Sequence, residues 1–327
     1  MNFTRKAKIL TDISIPQNWL WQEETENIKE KVKINLSVIP NSSILLGLLI
    51  FLKRKKYDII ITANLKTGFI LGLLQYLFRK KSCKHICLEM MLDEERSSFS
   101  WLVKRFLQRK AFSKMDCIFV SSRSEIQTYS RRLDINPEKF HFLPFHTNIV
   151  DPKPSEEKED YILSAGRTER DYPTLIQAIK GLEIKLVIVA DDHSLKKIKG
   201  ASGVKILKDL PYPEYLELLK RAKAVVLPLN PVSKSTGQVV MLEAMALGKP
   251  VISSKVTGTL DYIEDGVNGL LVNPKDPTDL RNKLIWLLNK PDKAEQIGEK
   301  GFLFVKKHLT FDNYVAKVLK TAYSLIS

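Results

Sequence analysis

Between Ser235 and Ser254 two hydroxyls and a glycine, Ser235, Thr236 and Gly237, lead into a helix-like run that carries one carboxylate, Glu243. Ser235 with Gln238 three residues on reads as a capping box, and Gly248 followed by Pro250 reads as a stop, so the expected helix is 237–247. Its first turn offers free backbone N–H groups and the positive end of the helix dipole, which suit a diphosphate. Gly237 lets a ligand approach the backbone closely. Glu243 stands seven residues beyond Thr236, roughly 10 Å along a helix that rises 1.5 Å per residue. That is about the reach from a pyrophosphate to ribose hydroxyls, which a carboxylate can accept. The same pattern also fits a capped core helix in which Glu243 only caps or pairs.

Such a helix needs strands to place it. Apolar, β-branched runs recur at 161–165, 184–190, 204–207, 224–229, 250–253 and 269–272, with helix-like segments at 172–180, 213–222, 237–247 and 278–289. Strands alternating with helices predict a parallel, doubly wound sheet. The first half repeats the alternation, with strands expected at 7–10, 32–39, 57–62, 85–88, 117–121 and 140–143. Between 148 and 160 the pattern breaks into Asp-Pro-Lys-Pro-Ser and a charged run, which reads as a linker. The expected domains are 1–152 and 153–311, with a last helix at about 312–327 packing back on the first. Ligands of open α/β sheets bind at the carboxyl ends of the strands, so two such domains would share a cleft there.

Composition narrows the rest. With 44% hydrophobic and 27% charged residues over 327 positions, the chain has material for two cores and lacks the signature of disorder. Its three cysteines, Cys83, Cys87 and Cys117, form neither a Cys-x-x-Cys pair nor a zinc pattern, which points to a reducing, cytoplasmic setting. The most apolar runs, 44–52 and 69–78, are too short to span a bilayer. The net charge of +15 is uneven: residues 1–150 hold 25 Lys and Arg against 14 Asp and Glu, leaving 27 against 23 for the remainder. A basic first half attracts polyanions, among them an anionic membrane, a phosphorylated acceptor or nucleic acid. Nucleic acid is disfavoured, because no RNP, zinc-finger or helix-turn-helix signature accompanies the charge.

The run Leu242-Glu243-Ala244-Met245-Ala246-Leu247-Gly248-Lys249-Pro250-Val251-Ile252 resembles the donor-site signature of family 4 glycosyltransferases, and 264–272 resembles the segment that follows it there. Ile162-Leu163-Ser164-Ala165-Gly166-Arg167 is similar to that family's first strand and phosphate-binding Gly-Arg. The resemblance covers most of 160–310 and thins in the first half to 111–144. It implies the GT-B architecture, two Rossmann-like domains facing each other across a cleft, and a hexosyltransferase-like enzyme that uses a nucleotide-sugar donor and no further cofactor. By the same resemblance Glu243 is the second carboxylate of a Glu-x7-Glu motif and binds ribose, and Arg167 binds the donor diphosphate with Thr236 and Gly237. Arg170 substitutes for a lysine expected near Tyr172, and Leu210-Pro211 matches the loop packed on the base, though it also fits an ordinary helix lead-in. One position departs: Ser235 stands where the first glutamate is usual, and a serine supplies no negative charge. Sugar contacts then fall to Ser235, Thr236 and Gln238.

Departure of a nucleoside diphosphate builds negative charge that Arg167, Arg170 and a helix N-terminus answer without a metal. Asp191-Asp192 ends a strand, and reads first as a solvated turn. Glu89, after the strand at 85–88, is the acceptor-side acid that could deprotonate a hydroxyl in an inverting mechanism, with Asp93 and Glu94 as looser alternatives. The resemblance favours retention, in which the leaving phosphate takes that proton. Residues 98–114 mix Phe99, Trp101, Leu102, Val103, Phe106 and Phe112 with five Lys and Arg, a basic amphipathic helix suited either to the sheet or to an anionic membrane. The membrane option suits a lipid-linked acceptor and a peripheral position at the inner face of the membrane. The alternatives are a nucleotide-sugar epimerase of the same fold, or a nucleotide-sugar-binding protein without catalysis.

Overall fold

A computed structural model describes residues 6–15, 18–32, 42–79, 81–95, 97–195, 198 and 203–327. The chain forms two compact units, one of Met1–Leu143 with Tyr314–Ser327, the other of Pro144–Asn313.

The first unit runs β1 (Ile9–Thr11), α1 (Trp19–Glu24), β2 (Thr25–Asn27), α2 (Ile28–Val32), α3 (Ser42–Lys53), β3 (Ile59–Thr62), α4 (Leu65–Leu77), β4 (Lys84–Cys87), α5 (Phe99–Phe112), β5 (Cys117–Val120), α6 (Arg123–Leu133) and β6 (Phe140–Phe142). Its strands pair in the order β2-β1-β3-β4-β5-β6, all parallel. Strands such as Ile59-Ile60-Ile61 are apolar at every position because helices cover both faces of a parallel sheet. Local chemistry agrees with the topology. Glu125 accepts from the N–H groups of Ser121 and Ser122, closing a capping box at the start of α6, and Asn64 caps α4. Right-handed crossovers gather α3, α4 and α5 into one layer, with α4 packed on both neighbours. Glycines set that spacing: a Cβ on Gly47 would lie 2.7 Å from Ile70, and one on Gly72 would strike the Ala111 carbonyl. All three cysteines are buried here.

Two expectations change in this unit. An edge strand, β2, stands at the polar Thr25–Asn27, where none was expected. The expected strand at 32–39 lies outside the described residues except for Val32, which ends a helix.

The second unit runs β7 (Ile162–Ala165), α7 (Tyr172–Ile179), β8 (Leu186–Ala190), α8 (Asp192–Leu195), β9 (Val204–Lys208), α9 (Tyr212–Arg221), β10 (Ala224–Leu227), α10 (Gln238–Ala246), β11 (Val251–Ser254), β12 (Leu270–Val272), α11 (Pro277–Asn289) and α12 (Pro291–His308). Its order is β12-β11-β10-β7-β8-β9, again all parallel. The chain ends in α13 (Phe311–Ser324). The segment expected as a linker is fastened along this unit: Ser155 N–H donates to Leu247 O, Glu159 N–H to Arg221 O, and the Lys249 ammonium to Glu157 O. Eight of the nine residues of α10 are buried, Val239 being the exposed one, so it is a core helix rather than an amphipathic one. No described helix is long and apolar enough to cross a membrane.

Candidate functional site

Three segments of the second unit meet at the carboxyl ends of its strands: the loop after β7, the loop after β9, and α10. They bound a cavity of about 250 Å³ lined by Gly166, Arg167, Asp209, Leu210, Tyr212, Tyr215 and Val240, among others. Arg167 is exposed at its rim, on a loop tied down by a hydrogen bond from the Ser194 hydroxyl to the Arg167 carbonyl at 3.0 Å. Leu210 lines the cavity, whereas Pro211, its expected partner in the base loop, is the exposed N-cap of α9 and lies outside the lining.

Arg170 takes a different place from Arg167. Its side chain is buried, with Nε donating to Ala165 O at 2.9 Å and a terminal nitrogen donating to Thr168 O at 2.8 Å. Gly166, at φ +119, has no room for a Cβ because the Arg170 guanidinium lies against it. Desolvation pulls this guanidinium below its usual pKa. Arg170 therefore braces the loop from inside, and the expectation that it grips a diphosphate directly gives way to positioning.

The start of α10 corrects a second expectation. Gly237, at φ +88, is the N-cap, so the helix starts two residues beyond Ser235 and the Ser235–Gln238 pair does not stand at the capping-box positions. Gly237 is needed for its backbone: a Cβ would be 2.7 Å from Leu229 and in a conformation that side chains rarely adopt. Ser235 and Thr236 are both buried, and Thr236 Oγ1 has no hydrogen-bond partner among the described residues. Gln238 is buried as well, its amide donating to the Tyr262 hydroxyl at 3.1 Å. Gly258 packs against the Thr236 backbone so closely that a Cβ would collide with it.

Glu243 sits one and a half turns into α10 with 0% exposure. Its Oε1 accepts from Asn148 Nδ2 at 3.0 Å and from the Tyr212 hydroxyl at 3.1 Å, and its Oε2 accepts from the Tyr215 hydroxyl at 3.0 Å. Burial holds the carboxyl above the usual range against the lowering effect of these three donors. Asn148, Tyr212, Tyr215 and Gly258 were not singled out from the sequence. The only local signal was the i, i+3 spacing of the two tyrosines, which puts both hydroxyls on one side of α9.

At the end of β8, Asp191 accepts from Ser194 N–H and Asp192 pairs with Lys208 at 2.5 Å. No group of three or more His, Cys, Asp or Glu that could hold a metal occurs among the described residues. In the first unit Glu89 follows β4 at φ +53, exposed, and accepts from the Tyr314 hydroxyl at 2.8 Å.

Two Rossmann-like units, the second with a glycine-opened helix behind a buried glutamate, define the GT-B fold class. The solved structure of Anabaena HepE in complex with UDP superposes with a TM-score of 0.71 at 15% identity, covering 98% of this chain and 100% of that one. Residues 146–304 match the model of glycosyl transferases group 1. An uncharacterized glycosyltransferase of Methanocaldococcus jannaschii is 32% identical over 146 residues, which are 42% of this chain and 40% of that protein. The trehalose synthase of Pyrococcus horikoshii is 28% identical over 215 residues, 62% of this chain and 48% of that one. The chain thus spans less than half the length of either relative. Its fold is that of the GT-B glycosyltransferases, and 146–304 is the segment similar to glycosyl transferases group 1.

Proposed function

We propose that this chain transfers a sugar from a nucleoside-diphosphate sugar to an acceptor hydroxyl, with retention and without a metal. The observation that carries the reading is the placement of Glu243 beneath the cavity that Arg167 rims, on the helix whose N-terminus opens at Thr236 and Gly237. Arg167 and the N–H groups of that first turn answer the charge that develops on the departing diphosphate. Thr236 Oγ1 is a buried hydroxyl free to bond a phosphate or sugar oxygen, Ser235 and Gln238 border it, and Glu243 accepts the ribose hydroxyls. HepE, which shares the fold, has been solved with UDP and with UDP-glucose, and this supports a donor of that class.

Titration calorimetry with UDP, GDP and ADP tests the site. Arg167→Ala and Glu243→Gln should each weaken the tightest of them about tenfold or more, the scale of one hydrogen bond to a charged group. Unchanged affinity in both variants would falsify the assignment. Incubation with donor and acceptor panels, with the product anomer read by NMR, separates transfer from epimerisation and from binding alone. Under retention the departing phosphate takes the acceptor proton and Glu89, held by Tyr314, is not needed as a base, so Glu89→Gln should leave kcat nearly unchanged; a large loss of kcat, with an inverted product anomer, would instead make Glu89 the base of an inverting reaction.

The acceptor reading, a lipid-linked substrate at an anionic membrane, draws its support from the outer face of α3, α4 and α5. Ile44, Leu48 and Leu52 on α3, Leu77 at the end of α4 with Phe78 beyond it, and Phe99, Leu102, Val103 and Phe106 on α5 are all exposed. These three helices run parallel, so their C-terminal ends share one edge of the layer. Lys53, Lys55, Lys56, Arg79, Arg109, Lys110 and Lys114 collect there. An apolar face bordered by cations suits acyl chains and anionic headgroups together. Sedimentation should show binding to anionic vesicles, little to neutral ones, and loss of it in the Leu102→Ser/Phe106→Ser double variant. Equal or absent binding to the two vesicle types sinks the membrane reading.

A further inference from the structure

Glu243 is enclosed more completely than a ribose ligand needs to be. Both oxygens are engaged by protein donors and no part of the residue reaches the surface. A ribose can reach this carboxylate only if one donor gives way. The three donors differ in how easily they can. Tyr215 is buried in the core cluster beneath the sheet ends. Asn148 follows Thr147, whose N–H is tied to Leu309 O and whose hydroxyl accepts from Ile149 N–H, so its backbone is anchored on both sides. Tyr212 is the first residue of α9, directly after the Pro211 cap, and is 47% exposed. Its ring lies in the wall of the cavity, 6.0 Å from that of Tyr215, with solvent on its other side. A rotation at the first turn of a helix disturbs no helix hydrogen bond of the side chain's own.

We propose that the Tyr212 hydroxyl is a latch on Glu243 which an incoming ribose displaces, so that every donor engaging Glu243 first gives up a hydrogen bond already made, and one offering two vicinal ribose hydroxyls recovers more than it gives up. This rests on the reading of Glu243 as the ribose ligand. Opening the latch gives up one hydroxyl-to-carboxylate hydrogen bond. A ribose returns two such bonds, from its 2′ and 3′ hydroxyls, while a 2′-deoxyribose returns one and gains nothing over the latched state. Ribonucleoside diphosphate sugars are therefore favoured over their deoxy counterparts, the thymidine donors included. The cavity volume agrees. At about 250 Å³, it falls below the roughly 300–1,000 Å³ usual for ligand pockets, and swinging Tyr212 outward enlarges the side that faces Glu243.

The latch makes a prediction that a merely stacking tyrosine does not. Titration calorimetry of wild type and Tyr212→Phe with UDP, GDP and ADP, with the 2′-deoxy form of the tightest binder, and with inorganic pyrophosphate separates the two. Removing the hydroxyl while keeping the ring should tighten the ribonucleotide and its deoxy form alike, by about fivefold to tenfold. Pyrophosphate, which offers Glu243 nothing, should bind both proteins equally. In each protein the deoxy form should be weaker than the ribo form by about tenfold. Unchanged or weakened ribonucleotide binding in Tyr212→Phe overturns the latch and leaves the donor site standing. A wild type that binds none of the three nucleotides overturns the site and the latch together. Matching thermal melts show that the substitution leaves the fold in place.

Discussion

The two units share a plan of six parallel strands wrapped by helices, yet they dispose of their polar and apolar groups in opposite ways. In the second unit several buried polar side chains gather about one cavity: Glu243 has three donors, Arg170 braces a loop, Gln238 is held by Tyr262, and Thr236 Oγ1 stands near them without a partner among the described residues. In the first unit large apolar side chains point outward from three neighbouring helices. Its core meanwhile keeps a glutamine, Gln75, and a histidine nitrogen, His85 Nδ1, without partners among the described residues. Buried polar groups without partners are costly, and exposed apolar ones invite cover. In the function proposed above, small-molecule chemistry falls to the second unit and surface recognition to the first.

Equivalent steric insults should therefore read out differently. Gly258→Val drives a side chain into the Thr236 backbone and should abolish nucleotide binding, a loss of about a hundredfold or more by calorimetry if the helix start shifts by the better part of an ångström. Gly72→Val forces α4 from α5 and should cost about 3 kcal/mol of stability in urea, together with vesicle binding, while nucleotide affinity holds. If Gly72→Val were to lower nucleotide affinity as far as Gly258→Val does, the division of labour would be wrong.

Acid sharpens the same comparison by a smaller amount. Burial pulls the His85 imidazole down to about 3, well below its ordinary 6.5, so the folded state resists a proton that the unfolded chain accepts. Between those values the unfolded state binds more protons. His85's contribution is therefore intact above pH 6.5 and drains away as the pH falls toward 3. A His85→Gln variant should lose ground to wild type at pH 7.5 and recover it at pH 5, followed by melting temperature. A gap that stays constant with pH would show that His85 is not the buried neutral group described.

How far the sequence anticipated the fold follows from how local each signal was. Core strands such as Ile59–Thr62 and Leu186–Ala190 announce themselves, because a strand covered on both faces is apolar throughout. β2 does not, being three polar residues at a sheet edge. α12 was not anticipated because Gly298 and Gly301 interrupt its helical pattern. Gly298 is there because a Cβ would collide with the Gly248 carbonyl, and Gly301 sits 3.1 Å by the same measure from Asn268 O, so both serve close packing on a neighbour. Glu243 and Arg167 were singled out from spacing and resemblance, and the structure sets Arg167 in the cavity lining and bonds Glu243 to two lining tyrosines. Their surroundings were not singled out, since Asn148, Tyr212 and Tyr215 reach Glu243 from segments 95, 31 and 28 residues away. Ser235 was misread as a cap because its spacing to Gln238 is right, while the left-handed backbone of Gly237 takes the capping position.

The cysteines give the first unit a built-in reporter. Cys83, Cys87 and Cys117 are all buried there, and the second unit has none. Burial pushes the Cys83 thiol up to about 11 and the Cys117 thiol up to about 12, so neither is a ready nucleophile while the sheet is closed. Alkylation at neutral pH then counts openings of one Rossmann-like unit and is blind to the other. A nucleotide that slows labelling would have to act on that unit at a distance from its own site, which makes a thiol reagent a direct meter of how strongly donor binding in one half is felt in the other.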